Sequence, residues 1–98
     1  MTGPDDEIMA RLNAETGRIG WMALLPHFAR GQVVRVAPGL DLLEAAAALA
    51  RDDSERVRRW MDEGWMGPVD EDRARQWQQP EREVWAVVVA PWVVVQEV

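Results

Sequence analysis

Val84-Trp85-Ala86-Val87-Val88-Val89-Ala90-Pro91-Trp92-Val93-Val94-Val95 is the stretch that decides the fold. It is β-branched, aromatic and apolar at consecutive positions, the pattern of a strand covered on both faces. Run straight to Val98, it would stretch about 50 Å at roughly 3.3 Å per residue. A domain of this size has a radius of gyration of about 13 Å and hence a diameter of about 33 Å. The segment must therefore bend at Pro91 or run out onto another chain. It does not span a bilayer, because Pro91 interrupts it and it falls short of the roughly 18–20 apolar residues required.

Upstream of it the pattern is mainly helical. Acidic Asp5, Asp6 and Glu7 precede Ile8, Met9 and Leu12, so a first helix over residues 4–16 is expected, its acids at the positive end of the helix dipole. Trp21, Leu24, Leu25 and Phe28 fall at i, i+3, i+4 and i+7, one face of a second helix. Pro26 either kinks that helix or starts a new turn. After Gly31, residues 32–36 (QVVRV) read as a short strand stopped by Ala37-Pro38-Gly39. Asp41, with Glu44 three residues on to reach back, then opens an alanine-rich helix. An acidic break at Asp52-Asp53 launches a helix over residues 54–63, with Val57, Trp60, Met61 and Trp65 as its expected buried stripe. Residues 66–69 read as a short strand or linker, and Asp70-Glu71-Asp72 caps a helix over residues 71–78. The expected architecture is a single α+β domain over residues 1–98, with four to five helices on a small, mainly antiparallel sheet. In it, strand 32–36 pairs with one or both halves of the C-terminal segment.

Composition narrows the chemistry. Of 98 residues, 48% are hydrophobic and 29% charged, the balance of a chain that folds. Six tryptophans are a heavy apolar load for a core this small, so part of that load is expected to face a partner. There is no cysteine, lysine or tyrosine, one serine (Ser54) and one histidine (His27), which removes thiolate and Schiff-base chemistry and nearly empties the pool for a hydroxyl nucleophile. The net charge of −6 opposes binding to phosphate backbones and anionic membranes. The opening Met1-Thr2-Gly3-Pro4-Asp5-Asp6-Glu7 is acidic, unlike a secretory leader, and a cytoplasmic protein is expected.

Four stretches, Leu12-Asn13-Ala14-Glu15-Thr16, Phe28-Ala29-Arg30-Gly31, Leu40-Asp41-Leu42 and residues 85–96 with their Trp-Ala-Val-Val-Val-Ala-Pro-Trp-Val core, resemble a bacterial family of about this length that is known as a domain of unknown function. The resemblance covers most of the chain from Leu12 onward. It implies a natural domain and carries no activity.

The function readings rest on four constellations. Trp85, Trp92 and Val94 are candidates for an intersubunit or ligand surface, since the apolar β segment exceeds what a small core needs. Arg56, Arg58 and Arg59, on the second of two consecutive helices, suggest a helix-turn-helix or winged-helix nucleic-acid binder. Against that, residues 52–63 carry five acids and three arginines, and each arginine has an acid four residues away (Asp52/Arg56, Glu55/Arg59, Arg58/Asp62). Asn13, Glu15 and Thr16 are candidates for a polar pocket, or else they satisfy a helix C-terminus. His27 and the acidic clusters lack metal-ligand spacing, and capping explains the acids. The preferred expectation is a small self-associating protein, most simply a homodimer, acting as an adaptor for another protein. The nucleic-acid reading is the alternative and a carboxylate-based enzyme the last, with no catalytic residue, cofactor or metal assigned.

Overall fold

The structure, a computed structural model, describes residues 4–98, with side chains from Glu7 onward. Residues 1–3, on which the reading of the acidic leader partly rests, lie outside the described residues. The elements run α1 (Pro4–Glu15), β1 (Gly17–Gly20), a 3-10 turn (Trp21–Leu24), α2 (Leu25–Ala29), β2 (Val33–Val36) and α3 (Leu42–Ala50). There follow α4 (Ser54–Asp62), β3 (Met66–Pro68), α5 (Glu71–Trp77), β4 (Glu83–Val89) and β5 (Trp92–Glu97). The α+β expectation holds, and no helix among the described residues is long and apolar enough to cross a membrane.

One five-stranded sheet has the order β1-β4-β5-β2-β3. The C-terminal segment resolves its length problem by turning at Ala90-Pro91, so that β4 and β5 pair antiparallel from Val84↔Glu97 to Val89↔Trp92. β5 then lies parallel to β2, with Val33↔Val93 and Arg35↔Val95 in register. The other neighbours, β1 with β4 and β2 with β3, are antiparallel. Parallel pairing needs a long crossover, and here α3, α4, β3, α5 and β4 all intervene between β2 and β5.

Helices cover both faces, which is why the valine run has no polar alternation. On one face Val34, Val36, Val87 and Val94 pack with Leu12 of α1, Leu42 and Ala45, Ala46 and Ala47 of α3, and Met66. On the other, Val33, Val84, Val93 and Val95 pack with Trp21, Leu24, Val69, and Ala74 and Trp77 of α5. Trp21 is fully buried, edge-on to Phe28 (centroids 5.7 Å apart) and to Trp77 (5.0 Å). The alanines of α3 let its axis approach the sheet closely, and four of them are buried.

The caps are local and form as the acids predict. Asp41 accepts from the Leu43 and Glu44 amides, Asp53 from Arg56 and Asp70 from Arg73. Of the two readings of Pro26 the new turn holds: the Trp21–Phe28 stripe is a 3-10 turn followed by α2, with Pro26 at the start of that helix, where its missing N–H costs nothing. Two expectations need correction. The α4 stripe is not buried: Met61 and Trp65 are exposed and Val57 and Trp60 half-buried, since α4 rests over the three-residue edge strand β3. Glu44 does not close a capping box but turns to Arg56 (2.7 Å).

Candidate interaction surface

β4 is longer than its outer neighbour. β1 pairs with residues 83–86 of β4, from Gly20↔Glu83 to Gly17↔Ala86, so residues 87–89 have no strand beside them on that side. Pairing stops there because the chain before Gly17 turns away into α1, where the Thr16 hydroxyl donates to the Leu12 carbonyl at 2.6 Å. Beyond this open edge the chain turns into β5 at Ala90-Pro91, and the stretch from Val88 through Trp92 is apolar throughout. Val88 is 59% exposed and Trp92 38%, and Ala90 and Pro91 are exposed as well. Ala90-Pro91 is itself an ordinary proline turn, but the strand ends on either side of it put the large apolar side chains of Val88 and Trp92 in solvent. Flanking the same edge is a cleft of about 360 Å³ floored by Ile19, Leu24, Ala86, Val88 and Val93, with Glu15, Arg18 and His27 at its rim.

A second, shallower cleft of about 340 Å³ lies where β2 ends, between Thr16, the Pro38–Asp41 loop, Trp85 and Gln96. Gln96 holds that loop, donating from Nε2 to the carbonyls of Ala37 (2.9 Å) and Leu40 (2.7 Å). Arg18 lies over the Trp85 ring at 5.9 Å and pairs with Glu83 at 3.3 Å. Behind the loop, Trp65 packs on Gly39 so closely that a Cβ there would collide with its ring. Because Trp65 is at the surface it can swing aside, so Gly39→Ala is expected to cost only about 1 kcal/mol. In that variant the indole N–H resonance of Trp65 should move while the core tryptophan signals stay in place.

The sequence-predicted residues divide accordingly. Trp85 and Trp92 have surface, but Val94 is fully buried at the centre of the sheet and is removed from the interaction set. Asn13, Glu15 and Thr16 do not converge: Thr16 lines the second cleft, Glu15 rims the first, and Asn13 is exposed outside both. Arg56 is engaged by Glu44 and lies over Trp60 at 4.8 Å, so its acid is on α3 and not four residues away on α4. Asp52 stands outside α4 at positive φ. Arg58 and Arg59 are exposed and have no ion pair with any other described residue. His27 is half-buried at the rim of the first cleft.

One polar cluster escaped the sequence reading. Glu97 of β5 accepts from Arg35 Nε (3.1 Å) and Nη2 (2.9 Å) on β2, and from Arg73 Nη1 (2.8 Å) on α5. Arg82, just before β4, approaches its other oxygen at 3.7 Å. Burial alone would raise the Glu97 pKa, but the Arg35 hydrogen bonds and the charges of Arg35, Arg73 and Arg82 more than reverse this, and its carboxyl titrates below the usual value. The only advance signal was a charge inside each of two apolar strands, 62 residues apart.

Together these features define a small α+β protein with a mixed five-stranded sheet clad on both faces. The chain belongs to the family described as Protein of unknown function (DUF2288), whose model matches residues 7–97. It is similar to PA1075 from Pseudomonas aeruginosa, whose solution structure was determined by NMR, at 46% identity and a TM-score of 0.81. That match covers 99% of this chain and 90% of the other. Comparison with proteins of curated function finds no match.

Proposed function

We propose that this protein is a small self-associating interaction module, whose contact is the apolar β4–β5 turn with the open edge of β4 beside it. The observation that carries the reading is the exposure of Val88, Ala90, Pro91 and Trp92 where β4 turns into β5. An antiparallel strand edge is self-complementary about a two-fold axis, so a second copy satisfies it without any other partner. Val88 lines the apolar cleft on one face of this end of the sheet and Trp92 lines a smaller cleft against α3 and α4 on the other, so the contact wraps the strand end. The contact is smaller than the sequence suggested, because the core absorbs Val94 and most of the valine run. An adaptor role would then use surfaces the dimer leaves open, the Trp85 cleft among them, and a cytoplasmic location accords with the cysteine-free composition.

Sedimentation of the full chain tests this. The wild type is expected at twice 11.1 kDa at micromolar concentration, and Val88→Arg and Trp92→Arg at the monomer mass with unchanged circular dichroism. A wild-type monomer over that range overturns the proposal. Co-purifying nucleic acid that is lost in an Arg58→Glu, Arg59→Glu double variant would replace it with the nucleic-acid reading.

A further inference from the structure

Arg35, Arg73 and Arg82 come from three separate elements and meet around the single carboxylate of Glu97. None of the three has another carboxylate within ion-pair distance among the described residues. Asp70, which caps α5, accepts from the Arg73 backbone amide, and Glu71 and Asp72 on α5 pair with Arg75. The cluster therefore keeps a surplus of two positive charges in a protein whose net charge is −6. Guanidinium groups held this close repel one another, and partial burial, with 20–34% of each arginine side chain exposed, reduces the solvent screening. The donors are also underused. Glu97 Oε1 takes three of the short hydrogen bonds, Arg82 reaches Oε2 only at 3.7 Å, and Arg82 Nε is buried with no acceptor at all. Each guanidinium has about five N–H donors, and one carboxylate cannot occupy three such forks.

We propose that this cluster is a binding site for a phosphate dianion, either free or carried as a monoester on a larger molecule. A phosphate group brings about −1.5 to −2 charges at neutral pH and several strong acceptor oxygens, matching the surplus of two and the idle donors. The solvent-exposed N–H groups of Arg73 and Arg82 supply the ligand's hydrogen bonds, while Arg82 Nε, sealed from solvent, reports the change in charge beside it. Glu97 and Arg35, the least exposed pair, hold the forks in position from the sheet.

The test is titration of the full chain with inorganic phosphate against chloride at matched, low ionic strength. It is read by thermal stability and by the Nε–H resonance of Arg82. Phosphate is expected to raise the midpoint saturably and to shift that resonance, while chloride does neither. Arg82→Gln and Arg73→Gln should weaken binding by about tenfold or more. Arg75→Gln, on the exposed side of α5, should leave it unchanged. A parallel titration with phenyl phosphate separates the sources: equal affinity means that the phosphoryl group alone is read, and tighter affinity means that the ligand carries the group on an organic body. Equal responses to phosphate and chloride, or a phosphate response that survives Arg82→Gln, overturn the proposal. Should the variants fail to fold, a wild-type Arg82 resonance unmoved by phosphate overturns it equally.

Discussion

Trp21→Ala is expected to remove about 3–5 kcal/mol of folding free energy, the range for deleting a large aromatic side chain from a packed core. Trp21 has no exposed surface and touches two other rings, so neither water nor a neighbour fills the space at no cost. A small domain has only about 5–15 kcal/mol in total, so this variant should sit near the edge of unfolding at ambient temperature. Trp21→Phe separates volume from polarity. The indole Nε1 is buried without a hydrogen-bond partner, a group whose desolvation costs roughly 1–3 kcal/mol, and phenylalanine removes that penalty while keeping a ring. The phenylalanine variant should therefore lose less than about half of what alanine loses. Urea midpoints of the two variants and the wild type decide the matter, and equal losses would show that Nε1 is satisfied after all.

Glu97→Ala comes second. It leaves Arg35, Arg73 and Arg82 facing one another with no counter-charge and unties α5 and the start of β4 from the sheet. Removing one partner of a buried ion pair costs about 3–5 kcal/mol, and a cluster with a quarter of its carboxylate surface still wet should lose roughly 2 kcal/mol. The native Glu97 pKa is lowered, so the stabilisation is complete above the unfolded value, near 4.5, and is lost as pH falls through the lower folded value. Stability of the wild type should thus fall as the pH drops below about 4.5, and the part of that slope due to Glu97 should vanish in Glu97→Gln. Chemical denaturation of both proteins across that window measures the difference.

What could be read from the sequence was whatever is local. Asp41, Asp53 and Asp70 cap the helices that follow them because a cap needs only its own next three residues. The two-faced valine run was legible because both faces are clad, and of the two outcomes its length allowed, a bend at Pro91 or an extension onto another chain, the structure has the bend. β1 was missed: Gly-Arg-Ile-Gly has one apolar side chain between glycines, and its strand geometry is imposed by Glu83–Ala86 more than sixty residues away. The Glu97 cluster was hidden for the same reason, as was the parallel register of β2 with β5. Periodicity misled at α4, since it reports which side of a helix is apolar and not how much sheet lies beneath that side. Of the proposed contact, Trp92 was visible beforehand, whereas the shortness of β1 that leaves β4 open was not.

The central place of β5 also bears on how the chain is made. Synthesis delivers β2 and β3 early and β4 late, yet the strand that joins the two halves of the sheet follows all of them. Until residues 92–97 leave the ribosome, β2 and β4 each have one bare inner edge, and the cores on both faces lack their shared valines. Vectorial growth therefore offers no closed sheet at the halfway point, and the two halves can join only once residues 92–97 insert between them.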